Sequence, residues 1–248
     1  MNQVQVSLTE QAFMALDLIK KNKEHSLNKE LKTSLIYFAE GNGLYDLADY
    51  LKNDRYFDEK AKEKTIYCIL GASGTGKTTL GNMIEDKLNI PELISHTTRE
   101  IGKGEVDGKT YYFVNDEEMK DVDKLEEAGY AGKHYALSKK EVLDKFKNNN
   151  KAFVIMEREG IKMLKKRVNI LPFKVKVKVV YIYSTLEEIK ERLYERNRNG
   201  AKTVEKRIKN IEEKNELNNF DIADKVVLNK NKRLDEAFED LKNYIIRT

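Results

Sequence analysis

The sequence predicts an α/β domain, a parallel core sheet flanked by helices, behind a helical N-terminal extension. Three observations carry that prediction. Residues 65–70 read TIYCIL, a short apolar run of strand formers that enters a glycine-rich turn and then a helical pattern over 78–88. Residues 173–183 alternate valine with lysine and then become apolar on both faces, as a strand does when it passes from a wet margin into the middle of a sheet. Beyond these, strand-like and helix-like runs take turns, the pattern of a parallel sheet with crossover helices.

Each element follows in order. Residues 1–64 read as helical. Phe13, Met14, Leu16 and Ile19 fall at helical spacing, and Leu31, Leu35, Ile36 and Phe38 form a second run that Gly41 and Gly43 stop. Leu44, Leu47, Ala48 and Leu51 suggest a third helix. Ten basic and eleven acidic residues leave this segment nearly neutral. Its amphipathic pattern fits packing on the main domain, or a surface for a protein partner or self-association. The main domain is expected over 65–248. Within it, 152–156 reads as a buried strand, 185–197 and 204–215 as helices, 226–228 as a short strand and 235–246 as a closing helix. Residues 116–127 form an acidic run of helical character.

Composition narrows the class. A chain of 248 residues with 40% hydrophobic content supports a real core. The single cysteine, Cys68, excludes an intrachain disulfide, and His25, His96 and His134 are too scattered for a metal motif. No apolar run reaches the roughly 18 residues of a membrane helix. Residues 1–17 lack the basic and apolar regions of a signal peptide, so a cytoplasmic location is expected. The net charge of +4 comes from 46 basic and 42 acidic residues, with 36 lysines to 10 arginines. That dispersed lysine excess weakens a nucleic-acid reading and makes each arginine, the better phosphate fork, more informative. The lysine and asparagine excess points to an AT-rich genome, of a bacterium or of a virus whose protein works in a host cytoplasm.

Residues 71–78 read GASGTGKT between strand and helix. Gly71, Gly74 and Gly76 let backbone N–H groups converge on an anion, and the following helix adds its N-terminal dipole. Lys77 can reach the β- and γ-phosphates and Thr78 can place a hydroxyl on Mg²⁺, with Ser73, Thr75 and Thr79 completing the cradle. ATP with Mg²⁺ is the expected ligand. A second cluster follows: residues 95–100 read SHTTRE and 104–113 read GEVDGKTYYF. An arginine beside a tyrosine hydroxyl is a good grip for a monophosphate.

These segments, in this order and spacing behind the phosphate loop, resemble those of guanylate kinases over about 65–246. The resemblance implies a P-loop kinase fold with a monophosphate-binding subdomain over 95–137 and a lid over 192–207. It implies transfer of the γ-phosphoryl group of ATP to GMP or dGMP. Ser95, Arg99, Glu105 and Tyr111 match residues around the acceptor, as does Tyr135 in KHYALS, with Arg99 and the two tyrosines on its phosphate. Glu126 matches the glutamate that reads the guanine edge. In the lid, Arg196 and Arg207 match the arginines that close on the transferring group, and Arg192 does structural or ATP-side work. Asn229 in VVLNKN matches the residue against adenine.

The chain also departs from the family pattern. Gly102 stands where a second phosphate-binding arginine is expected, with Lys103 beside it as a point charge. Ala136 and Leu137 replace a glycine and a hydroxyl residue near the base. Ile155 and Glu157 replace two aspartates, leaving Glu157 to help order Mg²⁺, waters or the acceptor. All these changes lie on the acceptor side. They keep open an enzyme with altered or broadened base specificity, and a guanylate kinase-like binding protein without activity. A kinase of nucleic-acid ends would need an open acceptor site, which the GEVDG–YYF segment does not suggest.

Overall fold

The computed structural model describes residues 36–43, 48, 63–102, 104–130, 132–196 and 200–248. The chain divides into two compact units, Met1–Lys62 and Glu63–Thr248. In the first, residues 36–41 are helical and stop as expected, with Gly43 at a φ of 71° that suits a residue without a Cβ. The first and third helices expected there lie outside the described residues, apart from Ala48.

The second unit opens on β1 (Lys64–Leu70), the phosphate loop and α1 (Lys77–Leu88). Then come β2 (His96–Thr97), β3 (Tyr112–Phe113), α2 (Asp116–Asp121), β4 (Lys124–Tyr130), β5 (Lys133–Ser138) and α3 (Lys139–Phe146). The chain returns through β6 (Lys151–Ile155), α4 (Arg158–Arg167), β7 (Val175–Tyr183), α5 (Leu186–Arg196) and α6 (Ala201–Glu213). A 3₁₀ segment (Glu216–Ile222), β8 (Lys225–Leu228) and α7 (Leu234–Arg247) close it.

The core sheet has the order β6-β1-β7-β8 with every pair parallel, and Glu92 bridges to Phe153 on the outer side of β6. Period-two alternation along β1 sorts the core. Ile66, Cys68 and Leu70 face one apolar cluster with Ile161 and Leu164 of α4 and with Leu125 and Leu137. Tyr67 and Ile69 face the other, with Leu80 and Ile84 of α1 and Phe238, Leu241 and Ile245 of α7. β7 changes character as its sequence implies: Lys176 is exposed, whereas Val179 to Ile182 are fully buried between β1 and β8.

A second sheet, order β3-β2-β5-β4, mixes a parallel β2/β3 pair with an antiparallel β4–β5 hairpin. Here the structure corrects the sequence reading. The acidic run 116–127 is not one helix. A capping box between Asn115 and Glu118 starts α2, and extended Val122 (ψ 122°) ends it. The rest becomes β4, because Lys124, Glu126 and Glu127 gain cross-strand partners on β5 that a longer helix would forgo. Among the described residues no helix is long and apolar enough to cross a membrane, and no group of three His, Cys, Asp or Glu is placed to hold a metal ion.

Candidate active site

The phosphate loop turns on glycines. Gly74 and Gly76 sit at φ 89° and 92°, conformations that side chains rarely adopt. Gly76 has a second reason: a Cβ there would come within 2.4 Å of Asn229 Nδ2. That amide donates to Thr75 O at 2.7 Å, and the Thr75 hydroxyl donates to Ala72 O at 2.9 Å. No side chain caps α1, whose first turn carries no acid, so its leading N–H groups remain available to an anion. Lys77 Nζ folds back onto Gly71 O (2.6 Å) and Ala72 O (3.0 Å). Burial pulls its pKa down, and the carboxylates of Glu157 and Glu216 pull the other way. Thr78 is exposed on the first turn, so its hydroxyl is free of packing.

Arg192 of α5 braces this loop from behind. Its guanidinium donates to Gly74 O (3.5 Å), Thr75 O (3.4 Å), Ser184 Oγ (3.0 Å) and Asn229 O (2.6 Å). One rigid fork therefore joins α5, the loop and the end of β8. Lysine offers a single ammonium and cannot span these acceptors. Arg192→Lys is expected to cost about 2 kcal/mol and to weaken ATP binding severalfold, read by thermal melting and an ATP titration.

Arg99, Glu105, Tyr111 and Tyr135, separated in sequence, meet beside the second sheet. Arg99 forks onto Glu105 at 2.7 and 2.8 Å, and the Gly102 N–H donates to the same carboxylate at 2.7 Å. The Arg99 guanidinium lies 5.3 Å from the Tyr111 ring centre and 5.5 Å from that of Phe113, and the Tyr111 and Tyr135 rings are 5.7 Å apart. Glu105 raises the pKa of Arg99, and Arg99 in turn holds that of Glu105 down. Burial, with Tyr135 next, pushes the Tyr111 phenol up to about 12, so it stays a hydrogen-bond donor at neutral pH. Position 102 suits glycine in this arrangement, since a Cβ would lie 2.7 Å from Glu105 Oε2. Tyr112 turns elsewhere, donating to Glu141 Oε2 at 3.0 Å with its ring against His96. Ser95 is buried just before β2, and its carbonyl accepts the Tyr112 N–H.

Glu126 is the most unusual group. It is 2% exposed, yet its Oε2 has no hydrogen-bond partner among the described residues. Burial is the first cause of a pKa raised to about 7. The carboxyl rests on the head of α4, where a Cβ at Gly160 would come within 2.8 Å of Oε2. Across the hairpin Glu126 pairs with Leu137, and Leu137 is wholly buried in the core. The next hydroxyl, Ser138, caps α3 by accepting the Glu141 N–H at 3.1 Å. Ile155 packs with its Cδ1 towards Gly81 of α1 and against the cluster of Tyr67, Leu80 and Phe153.

The remaining expected residues are less gathered. Glu157 heads α4 within electrostatic reach of Lys77. Arg207 stands exposed on α6. Lys103, the Arg196 side chain and residues 197–199 lie outside the described residues. Sequence reasoning missed two contacts, that of Glu216 with the loop and the Arg158–Asp221 pair. No local pattern signals either, because each joins residues far apart in the chain.

Comparison with known proteins bears on the whole assembly. The guanylate kinase family model matches residues 63–248. The guanylate kinase of Fusobacterium nucleatum is 30% identical over 187 residues, covering 73% of this chain and 95% of that protein. That of Oceanobacillus iheyensis is 32% identical over 190 residues, covering 74% and 88%. The crystal structure of guanylate kinase from Anaplasma phagocytophilum shares the fold, with a TM-score of 0.51 at 21% identity over 75% of this chain and 85% of that one.

Proposed function

Because the chain belongs to the guanylate kinase family, we propose that it transfers the γ-phosphoryl group of ATP to GMP or dGMP. An acceptor phosphate oxygen forms a bond to the γ-phosphorus as the bond to the β–γ bridging oxygen breaks, giving a nucleoside diphosphate and ADP. The attacking oxygen is already anionic near neutral pH, so no general base is required. The residues fit a triphosphate: two loop glycines at positive φ, an uncapped helix start and a lysine at its head. Mg²⁺, when bound, neutralises phosphate charge, and the exposed Thr78 hydroxyl is the residue to hold it. Lys77 would exchange its two loop carbonyls for phosphate oxygens. Arg99, Tyr111 and Tyr135 would hold the acceptor phosphate, with Glu105 fixing the guanidinium fork. Arg196 and Arg207 would close over the transferring group from a lid.

The observation that carries the acceptor assignment is the buried Glu126 carboxyl, whose Oε2 has no partner among the described residues. Leaving such a group without a partner is costly unless a ligand supplies one. Ionised, it accepts two hydrogen bonds, matching the adjacent N1–H and N2–H₂ donors of guanine, a pair that adenine lacks. Leu137, buried on the strand opposite, favours a second reading in which the rest of the base is loosely read and the specificity is broadened. The intact loop and Lys77 speak against a binding protein without activity.

The test is a coupled ATP-consumption assay against the eight common ribo- and deoxynucleoside monophosphates. Turnover of GMP and dGMP alone is expected. Comparable turnover of AMP, CMP or UMP would transfer support to the second reading, and no turnover of any acceptor would defeat both.

A further inference from the structure

The 3₁₀ segment Glu216–Ile222 lies between two parts of the site that the sequence keeps apart. At its start, Glu216 is 7% exposed, and its Oε2 accepts the Ser73 N–H of the phosphate loop at 3.4 Å. Its main-chain carbonyl is pinned by the Tyr181 hydroxyl (2.8 Å) and Asn219 Nδ2 (3.2 Å). Near its end, Asp221 takes both Nη atoms of Arg158 in a two-pronged ion pair, and Asn219 Oδ1 accepts a further bond from Arg158 at 3.2 Å. Arg158 is the first residue of α4, two before the Gly160 against which Glu126 rests. The segment thus ties the phosphate loop to the helix that backs the buried acid.

A carboxylate is an expensive choice for position 216 if stability is the only concern. Its neighbour Leu217 packs into the apolar cluster of Ala72, Ile189, Leu193 and Ile211, so an aliphatic side chain would be cheaper to bury. The carboxylate does what an aliphatic group cannot: its charge acts on the Lys77 ammonium, and it accepts a loop N–H.

We propose that Glu216 is a positioning residue for the phosphate loop, holding Ser73 and Lys77 in place for transfer, and that the Arg158–Asp221 pair fixes the segment that carries it. The proposal rests on the phosphoryl-transfer reading above. It separates placement from affinity. Removing a negative charge beside a polyanion site gives no electrostatic reason for weaker ATP binding, whereas a displaced loop and lysine slow the chemical step.

The test compares wild type with Glu216→Gln, Glu216→Leu and Asp221→Asn in the coupled assay, with ATP titration calorimetry and thermal melting. Glu216→Gln is expected to lower kcat about tenfold, with the KM for ATP no higher and the KM for the acceptor unchanged. Glu216→Leu should melt no lower than wild type and still lose more activity, with Asp221→Asn showing a smaller loss in the same direction. Both Glu216 variants turning over within about twofold of wild type would overturn the proposal. So would losses that track a lower melting temperature and a raised KM for ATP, the mark of a merely structural residue. A wild-type protein that neither binds ATP nor turns over any acceptor would defeat the functional reading itself, and this proposal with it.

Discussion

Lys77→Ala is expected to abolish phosphoryl transfer while leaving the fold intact. The Lys77 ammonium is the charge that the loop brings to the terminal phosphates, and in the structure its two hydrogen bonds go only to the loop's own Gly71 and Ala72 carbonyls. Removing one preorganised group that stabilises transition-state charge costs on the order of 10³ in rate. The effect on stability has the opposite sense. Burial lowers the Lys77 pKa below its ordinary value, so the folded chain holds this charge less readily than the unfolded chain does. That penalty is full below the lowered folded value, fades as pH rises from there towards the ordinary lysine range, and is gone above it. The alanine variant should therefore melt at or above the wild-type temperature. A coupled assay and a thermal melt on the same preparation decide the matter. Retained turnover would sink the assigned role of the loop, and a collapsed fold would show that the lysine is there for structure.

The fold was legible where a segment makes its own case. β1 ends in a glycine loop, and β7 changes from alternating to continuously apolar as its burial does. The second sheet was not legible. β2 and β3 are two residues each, too short for any periodicity to register. The β4 strand hides in an acidic run, and only pairing with β5 reveals that Glu126 belongs to a sheet. Tertiary pairing overrode local pattern there.

The site divides along the same line. The loop residues could be read directly, because an anion-binding turn demands glycines and a lysine at fixed spacing. Arg99, Tyr111 and Tyr135 could be named by resemblance and do converge, although Glu105 as the common anchor of Arg99 and the Gly102 N–H is a fact of three dimensions. Arg192 and Glu216 could not be assigned their contacts, since both reach backbone groups more than a hundred positions away, at Gly74 and Ser73 respectively. Side chains that brace a loop have no spacing of their own to recognise.

Glu126→Gln is expected to stabilise the protein above neutral pH and to destroy its grip on guanine. In the unfolded chain the carboxyl ionises near its ordinary 4.5, and in the folded chain near 7. Between those values the folded state keeps a proton that the unfolded state has lost. The contribution to stability is therefore full below the lower value, falls as pH rises across the window, and is gone above the upper one. A neutral amide escapes that loss, so at pH 8 the variant should gain up to roughly 3 kcal/mol. The same ionisation governs binding. Guanine presents two donors, and only the ionised carboxylate offers two acceptors to meet them, so the wild-type KM for GMP should fall as pH rises from 6 to 8. Glutamine faces one of those donors with its own N–H₂. Its KM for GMP should rise on the order of 10²-fold and lose the pH dependence, while ATP binding at the phosphate loop stays unchanged. A variant that keeps the wild-type KM for GMP would remove Glu126 from the acceptor site. Its buried Oε2, without a partner among the described residues, would then stand as a penalty that no ligand relieves.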